Sequence, residues 1–352
     1  KLADLARNQP AGSGATGSSA SEGGSTKWAV AAHLNRGAEM VQVGTGVEAP
    51  QTGGVLSDAI LAERPTERRL VRIDGQSARG PAALGDVVAV RWLTPQMDRL
   101  FADGASGRRR FLDHLTGGYD SNHSARISAY ERTMRHRSLL LREGRGDPAW
   151  FSALEETMAE LGVAIAAARR DVVARISTAM AGGDEVYPGA RLTVDGDVEG
   201  WLDGQPALAA ETKFREALER SRMRDGVTGG ATSGPHRSDL AVWHTAKEMP
   251  AAQCSTGEQK AILIAIVLAD VRLLTASTGH APLVLMDEVA AHLDEDRRNT
   301  LYDLILGFGA QIWATGTDRK MFGGLEDRAQ FLNVADGQIG GHTGGQIGGQ
   351  PE

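Results

Sequence analysis

Apolar positions along the chain alternate first at a strand-like period and later at a helical one. Trp28 to His33 and Met40 to Val43 read as short strands separated by Asn35-Arg36-Gly37. Arg69 to Ile73 and Asp86 to Trp92 continue that pattern, and Asp74-Gly75 is a tight-turn pair. From Arg108 the period lengthens. Leu112, Leu115, Tyr119, Tyr130, Met134 and Leu141 fall near one helical face, and Asp147-Pro148 is a cap followed by a first-turn proline. Phe151, Leu154, Met158, Leu161, Ile165, Ala168, Val172 and Ile176 then recur at steps of three and four, a near-heptad stripe that Gly182-Gly183 ends. Residues 108 to 181 thus predict an antiparallel helical hairpin turning near Glu143 to Gly146. Its stripe serves either core packing or an interaction arm.

Further on, Arg191 to Val194 predicts a strand and Pro206 to Met223 a helix with Leu208, Phe214 and Leu218 on its apolar side. Gly226 to Gly234 reads as loop and Leu240 to Trp243 as strand. An apolar helix runs from Ser255 to Arg272, a strand ends at Asp287-Glu288, and Gln311 to Thr315 is a further short strand. Ala11 to Thr26, rich in Gly, Ser, Ala and Thr, predicts a flexible loop. The tail from Gly337 repeats Gly-Gln-Ile-Gly-Gly and predicts disorder. The expected class is α/β: mixed sheets with flanking helices plus a helical lobe. The expected division is residues 1–107, a helical lobe at 108–225, a second α/β lobe at 226–335 and a tail at 336–352.

Charge narrows the function classes. Lys and Arg number 38 against 45 Asp and Glu, a net charge of −7, which excludes a uniformly basic nucleic-acid binder but not a local basic face. The single cysteine, Cys254, forbids an internal disulfide and suits a reducing, cytoplasmic setting. The apolar run Ala261 to Ala269 is too short to span a bilayer, so no membrane partner is expected. The chain opens without Met in a polar helical segment, Lys1 to Asn8, and with no leader pattern.

Two segments carry chemistry. Cys254-Ser255-Thr256-Gly257-Glu258-Gln259-Lys260 opens the apolar helix, where Ser255 caps and Gly257 lets a phosphate approach the backbone. Leu283-Val284-Leu285-Met286-Asp287-Glu288 is an apolar strand that sets a magnesium-directed carboxylate beside a water-activating one. Each alone is a weak signal, because a capped core helix and a solvated strand end look the same. Their order is that of the ABC-type ATPases. His292-Leu293-Asp294 resembles the loop that touches the opposing subunit in such enzymes. Thr315-Gly316-Thr317-Asp318 ends the last strand, as a γ-phosphate sensor or as a plain strand-to-loop turn. A phosphate-binding Gly-x-x-x-x-Gly-Lys-Ser/Thr loop does not occur. Gly12 to Ser19 has the glycine spacing but offers Ser18 in place of lysine.

With these motifs, Gly234-Pro235-His236-Arg237-Ser238-Asp239-Leu240 and Arg108-Arg109-Arg110-Phe111-Leu112-Asp113 make the chain resemble the RecF family of bacterial recombination mediators from about Trp28 to Val334. The resemblance implies an ABC-type ATPase head that dimerises around two ATP molecules with magnesium and binds single-stranded DNA and gap junctions. It further implies work with RecO- and RecR-type proteins in replication, recombination, repair and the SOS response. By it Glu288 polarises the attacking water and Asp287 holds magnesium through water. Ser255, Gly257 and Glu258 complete the partner subunit's ATP site, while Gln96, in Leu93-Thr94-Pro95-Gln96, and Thr315 contact magnesium, water or nucleotide. It also implies a phosphate loop upstream of Lys1, so the chain reads as N-terminally truncated. The alternatives are another ABC-type head of chromosome-organising kind, or a non-catalytic fragment that binds DNA or protein.

DNA requires cations aimed at phosphates. Arg108, Arg109 and Arg110 form the densest run, as DNA contacts or as a solvated helix start with internal ion pairs. Arg215, Arg220, Arg222 and Arg224 form a second cluster. His236-Arg237 has no Cys or second His at ligand spacing, which favours a structural role over a metal site.

Overall fold

The computed structural model describes residues 28–36, 39–48, 68–78, 80–144, 146–181, 186–289, 293–335 and 338–342. The expectations for Lys1 to Asn8, Ala11 to Thr26, His292 and the second tail repeat lie outside them. The chain divides into two compact units, residues 1–88 and 89–352.

The first unit holds an antiparallel sheet of β1 (Ala29–Arg36), β2 (Glu39–Glu48), β3 (Arg68–Ile73) and β4 (Gln76–Ser77), paired in that order. The β3–β4 turn is Asp74-Gly75, both at positive φ, as the sequence pair predicts. The strand expected from Asp86 starts only at Val90. Val87 and Val88 both donate their N–H groups to the Leu84 carbonyl, which commits that backbone to a turn.

The second unit is built on the parallel sheet β10-β9-β5, formed by β5 (Val90–Leu93), β9 (Leu283–Asp287) and β10 (Ile312–Thr315). Leu93, Val284 and Met286 join the main core. Trp92, Leu285 and Trp313 stand in one register row on the sheet and keep 40, 37 and 55% of their surface exposed. At the centre of this core lies α6 (Thr256–Thr278), with Ile262, Ile264, Ile266, Val271 and Leu274 all fully buried. A helix apolar on every side is a core helix. At 23 residues α6 is long and apolar enough to cross a bilayer, yet its side chains pack inside the protein. α7 (Glu295–Gly307) adds Leu301, Tyr302 and Ile305 to the same core.

A second sheet pairs β6 (Ala190–Asp195) antiparallel with β7 (Asp239–His244), and β7 with β8 (Met249–Pro250). Around it lie α1 (Ala105–Gly117), α2 (His123–Glu143), α3 (Pro148–Ala181), the short α4 (Asp197–Trp201) and α5 (Ala207–Thr228). The hairpin turns where expected, but its first arm is two helices. Gly118 to Asn122 separate α1 from α2, and Leu112 and Leu115 of α1 join the main core while Tyr130 of α2 joins a second one. The heptad stripe on α3 serves core packing: Met158 and Ile165 pack in the second core, Val172 and Ile176 in the first. α5 runs past the predicted end through Gly226. A Cβ there would sit 3.4 Å from the Leu141 carbonyl oxygen, so glycine lets α5 lie close to α2. Leu208, expected inside, is 73% exposed, while Phe214 and Leu218 are buried.

Arg137 ties this lobe together. Fully buried on α2, it donates to Glu155 of α3 at 2.9 Å, to Asp225 of α5 at 2.7 Å and to the Leu218 carbonyl at 2.7 Å. Residues expected in a disordered tail form a strand instead: β12 (Gln338–His342) pairs antiparallel with β11 (Leu332–Ala335).

Candidate functional site

Two chain segments end side by side at the carboxyl edge of the parallel sheet. β5 leads through Thr94 into a 3-10 turn, Pro95–Arg99, that carries Gln96 and Asp98. Leu93 is in register with Met286, so β9 ends at Asp287 next to that turn. Gln96 is exposed. Edge loops of a parallel α/β sheet are where ligands bind.

β10 completes the arrangement. Thr315 is in register with Asp287, and its hydroxyl donates to Asp287 Oδ1 at 2.6 Å. Thr315 Oγ1 in turn accepts the Glu288 N–H at 3.3 Å. Glu288 takes φ of +51°, which a non-glycine residue adopts at a local energetic cost. The bond to Thr315 holds it there, and both acids remain exposed to solvent.

The start of α6 is a complete capping box. Ser255 Oγ accepts the Glu258 N–H at 3.4 Å, and the Glu258 carboxylate accepts the Ser255 N–H at 2.9 Å. Lys247, from the β7–β8 turn, forms an ion pair with the same carboxylate. Lys247 and then the Ser255 N–H pull the Glu258 carboxyl down to about 2. Glu258, expected to touch ATP, is thus engaged as a cap. Gly257 is different: it lacks a positive φ, and a Cβ built on it would meet nothing within 4 Å. The fold therefore does not require glycine there. No hydrogen bond among the described residues joins Ser255, Gly257 or Glu258 to Asp287, Glu288 or Thr315.

Lys260, one turn into α6, is buried and reaches Asp98 Oδ2 at 3.3 Å. Lys260, Asp98, Thr94 and Asp287 line one small cavity, so the ammonium sits between the helix and both strand ends. Sequence reasoning missed Asp98. The signal was available in a carboxylate two residues beyond Gln96.

The arginine run resolves into three environments. Arg108 makes a two-pronged ion pair with Asp239 at 2.8 and 2.7 Å and donates to the Asp103 carbonyl, the internal pairing that competes with DNA contact. Arg109 donates to the Ser238 carbonyl at 2.8 Å, and Arg110 is exposed. In the second cluster Arg222 pairs with Glu155, Arg220 with Glu216, and Arg224 donates to Thr232. His236 is structural: Nε2 donates to the Ala231 carbonyl at 2.9 Å and Nδ1 accepts from the Tyr130 hydroxyl at 2.9 Å. Both ring nitrogens are used inside the protein.

No family model matches the chain. It is 46% identical over 306 residues to the DNA replication and repair protein RecF of Rhizobium etli (strain CIAT 652), covering 86% of this chain and 77% of that protein. It is 43% identical over 303 residues to RecF of Rhizobium meliloti (strain 1021), with 86% and 77% covered. The fold matches the recombination mediator protein RecF-ATPrS in the RecFOR pathway with TM-score 0.73 at 17% identity, over 89% of this chain and 80% of that one. It matches the RecF-ATP structure of the same pathway with TM-score 0.67 at 18% identity, over 86% and 77%. The architecture is therefore the RecF type of ABC ATPase head with a helical lobe. At these identities and coverages, the chain belongs to the RecF family of DNA replication and repair proteins.

Proposed function

We propose that this chain is an ATP-dependent, DNA-binding recombination mediator that acts at single-strand/double-strand gaps in replication and repair, hydrolysing ATP in a homodimer with composite sites. The observation that carries the reading is the Asp287–Thr315–Glu288 cluster at the carboxyl edge of the parallel sheet, in a chain that also displays an unconstrained Gly257 on a capped helix start. The similar structures solved as RecF-ATP and RecF-ATPrS supply the nucleotide class, and the pathway they are placed in supplies RecO and RecR as partners. The lone Cys254, buried and free, fits a reducing cytoplasm.

Magnesium fits the oxygen donors present. Among the described residues Asp287 Oδ2 has no hydrogen-bond or ion-pair partner, while Glu288 and Gln96 are exposed beside it. The described residues contain no cluster of three metal-ligating side chains, which suits an ion held by one or two carboxylates together with phosphate oxygens. When bound, the ion neutralises charge on the phosphates. Asp287 would hold the ion through water, Thr315 fixes the Asp287 carboxylate, and Glu288 would accept the proton of the attacking water. Ser255 and Gly257 serve the site of the opposing subunit through backbone N–H groups and the positive helix end.

A second reading is a non-catalytic DNA- or protein-binding role, which the lack of a lysine-bearing phosphate loop within residues 1–352 favours. ATP turnover at a gapped duplex, measured on this chain and on a version joined to a family phosphate loop, separates the two. Turnover by the joined version that falls at least tenfold in Glu288→Gln supports the first reading. Turnover by neither form supports the second.

A further inference from the structure

The segment Gly234 to Asp239 is held inward at almost every residue. Gly234 has φ of +139°, and a side chain there would overlap the Tyr130 hydroxyl. The Pro235 carbonyl accepts from buried Arg169 at 2.6 Å, and His236 is fixed through both ring nitrogens. The Ser238 hydroxyl donates to buried Glu199 at 2.7 Å, the Ser238 carbonyl accepts from Arg109, and Asp239 is gripped by Arg108. The turn is closed by the Arg237 N–H on the Gly234 carbonyl at 2.9 Å. One side chain points the other way. Arg237 is exposed and makes no ion pair or side-chain hydrogen bond among the described residues.

Helices α1, α2, α3 and α4 thus all contribute to fixing a six-residue turn whose single outward product is a guanidinium. A fixed backbone removes the cost of ordering the turn on binding, while the Arg237 side chain itself stays free to turn toward its ligand. Arg109 lies beside Arg237, through its bond to Ser238, and Arg110 follows on α1, exposed and with no ion pair among the described residues. Charges of both signs surround the turn, Arg108, Arg109 and Arg169 against Asp113, Asp225 and Asp239. Burial first, then Arg237 and Arg109, push the His236 imidazole below its ordinary range, while its bond to Ala231 opposes them. Burial and then Arg169 lower the Arg109 guanidinium as well.

We propose that Arg237, with Arg109 beside it, is a backbone-phosphate contact for DNA, displayed on a rigid turn at the root of the helical lobe. This rests on the replication-and-repair reading above and adds to the Arg108 to Arg110 run a principal contact, Arg237, from a different segment. A guanidinium fork matches two phosphate oxygens. The turn offers no exposed apolar or aromatic side chain, so contact is with the backbone and not with stacked bases or an apolar peptide anchor.

The test is the salt dependence of binding to a fluorescent gapped duplex by the wild-type chain, Arg237→Ala, Arg237→Lys and, as a control at an arginine in neither cluster that pairs with Asp303, Arg328→Ala, with thermal melts of each. The site predicts a slope of log affinity against log salt that is shallower by about one in Arg237→Ala, near wild type in Arg237→Lys and unchanged in Arg328→Ala, with equal melts for wild type and the Arg237 variants. A wild-type slope in Arg237→Ala overturns the site and leaves the replication-and-repair reading standing. So does a loss in Arg237→Ala confined to ATP-dependent dimerisation or to an acidic protein partner. Failure of the wild-type chain to bind DNA removes the reading itself.

Discussion

The hydroxyl of Thr315 stands between two acids: it donates to Asp287 at 2.6 Å and accepts the backbone N–H of Glu288 at 3.3 Å. One short side chain on β10 thereby sets the orientation of the side chain at the end of β9 and the strained backbone of the residue after it. Thr315→Val keeps the shape and removes both bonds. Groups that orient a metal-binding carboxylate are worth roughly 10- to 100-fold in affinity or activity. Thr315→Val is therefore expected to weaken magnesium-dependent nucleotide binding in that range, measured by titration with a fluorescent ATP analogue at varied magnesium. An unchanged magnesium midpoint would show that Thr315 is an ordinary strand end.

Lys260 couples the first turns of α6 to the Gln96-bearing turn through Asp98. Removing one member strands the other in or beside a small, partly open cavity. Lys260→Met and Asp98→Asn are each expected to lower stability. The double variant should lose less than the sum of the two, with an interaction of roughly 0.5–3 kcal/mol. Additive losses in urea unfolding would mean the pair does not couple the two elements.

The buried Arg137 network predicts a large loss in the helical lobe. Arg137→Ala leaves Glu155 and Asp225 without their shared cation in a dry core, at a cost of about 3–5 kcal/mol. Chemical denaturation reads this directly, and a loss below ~1 kcal/mol would contradict it.

His114 predicts a pH response. It lies against the Trp92 ring with centroids 3.7 Å apart, and burial, then Arg91, lower its pKa to about 4. The unfolded chain therefore takes up this proton first. The neutral ring's contribution is complete above about pH 6.5 and is lost as pH falls from there toward 4, by at most about 3 kcal/mol. His236 is shifted in the same direction, whereas Asp113, held low by His123 and Arg169 against its burial, acts only below its ordinary range near 3.8. His114→Phe is expected to flatten part of the fall in melting temperature between pH 6.5 and 4. A profile parallel to wild type would remove His114 from the account.

Periodic segments were legible in the sequence because burial itself is periodic. The α3 stripe, the β9 apolar run and the Ser255 capping box follow from side-chain spacing and one local hydrogen-bond pattern. Less legible were features set by contacts distant in sequence. Gly226 reads as a helix stop until the approach of Leu141 is known, and Leu208 looks like a core position because spacing alone cannot say which stripe meets a neighbour. The start of β5 depended on a turn closed by Leu84. At the site, Asp287, Glu288 and Thr315 were identifiable as residues, but the hydroxyl bridge between them depends on the β9–β10 register. Glu258 and Arg108 carried charge that fits a ligand, and the structure engages both internally, with Ser255 and Lys247 in one case and Asp239 in the other.

The central claim, that ATP is hydrolysed between two subunits, is tested most directly by mixing two inactive variants of the phosphate-loop-joined form, Gly257→Asp and Glu288→Gln. Gly257 has room for a side chain, so the first variant folds while repelling phosphate. In a composite dimer the mixed pair contains one site with both lesions and one with neither. The account predicts that mixing restores ATP turnover to a substantial fraction of wild type while each variant alone stays inactive. A mixture as inactive as its parts would place Gly257 and Glu288 in the same site and contradict it.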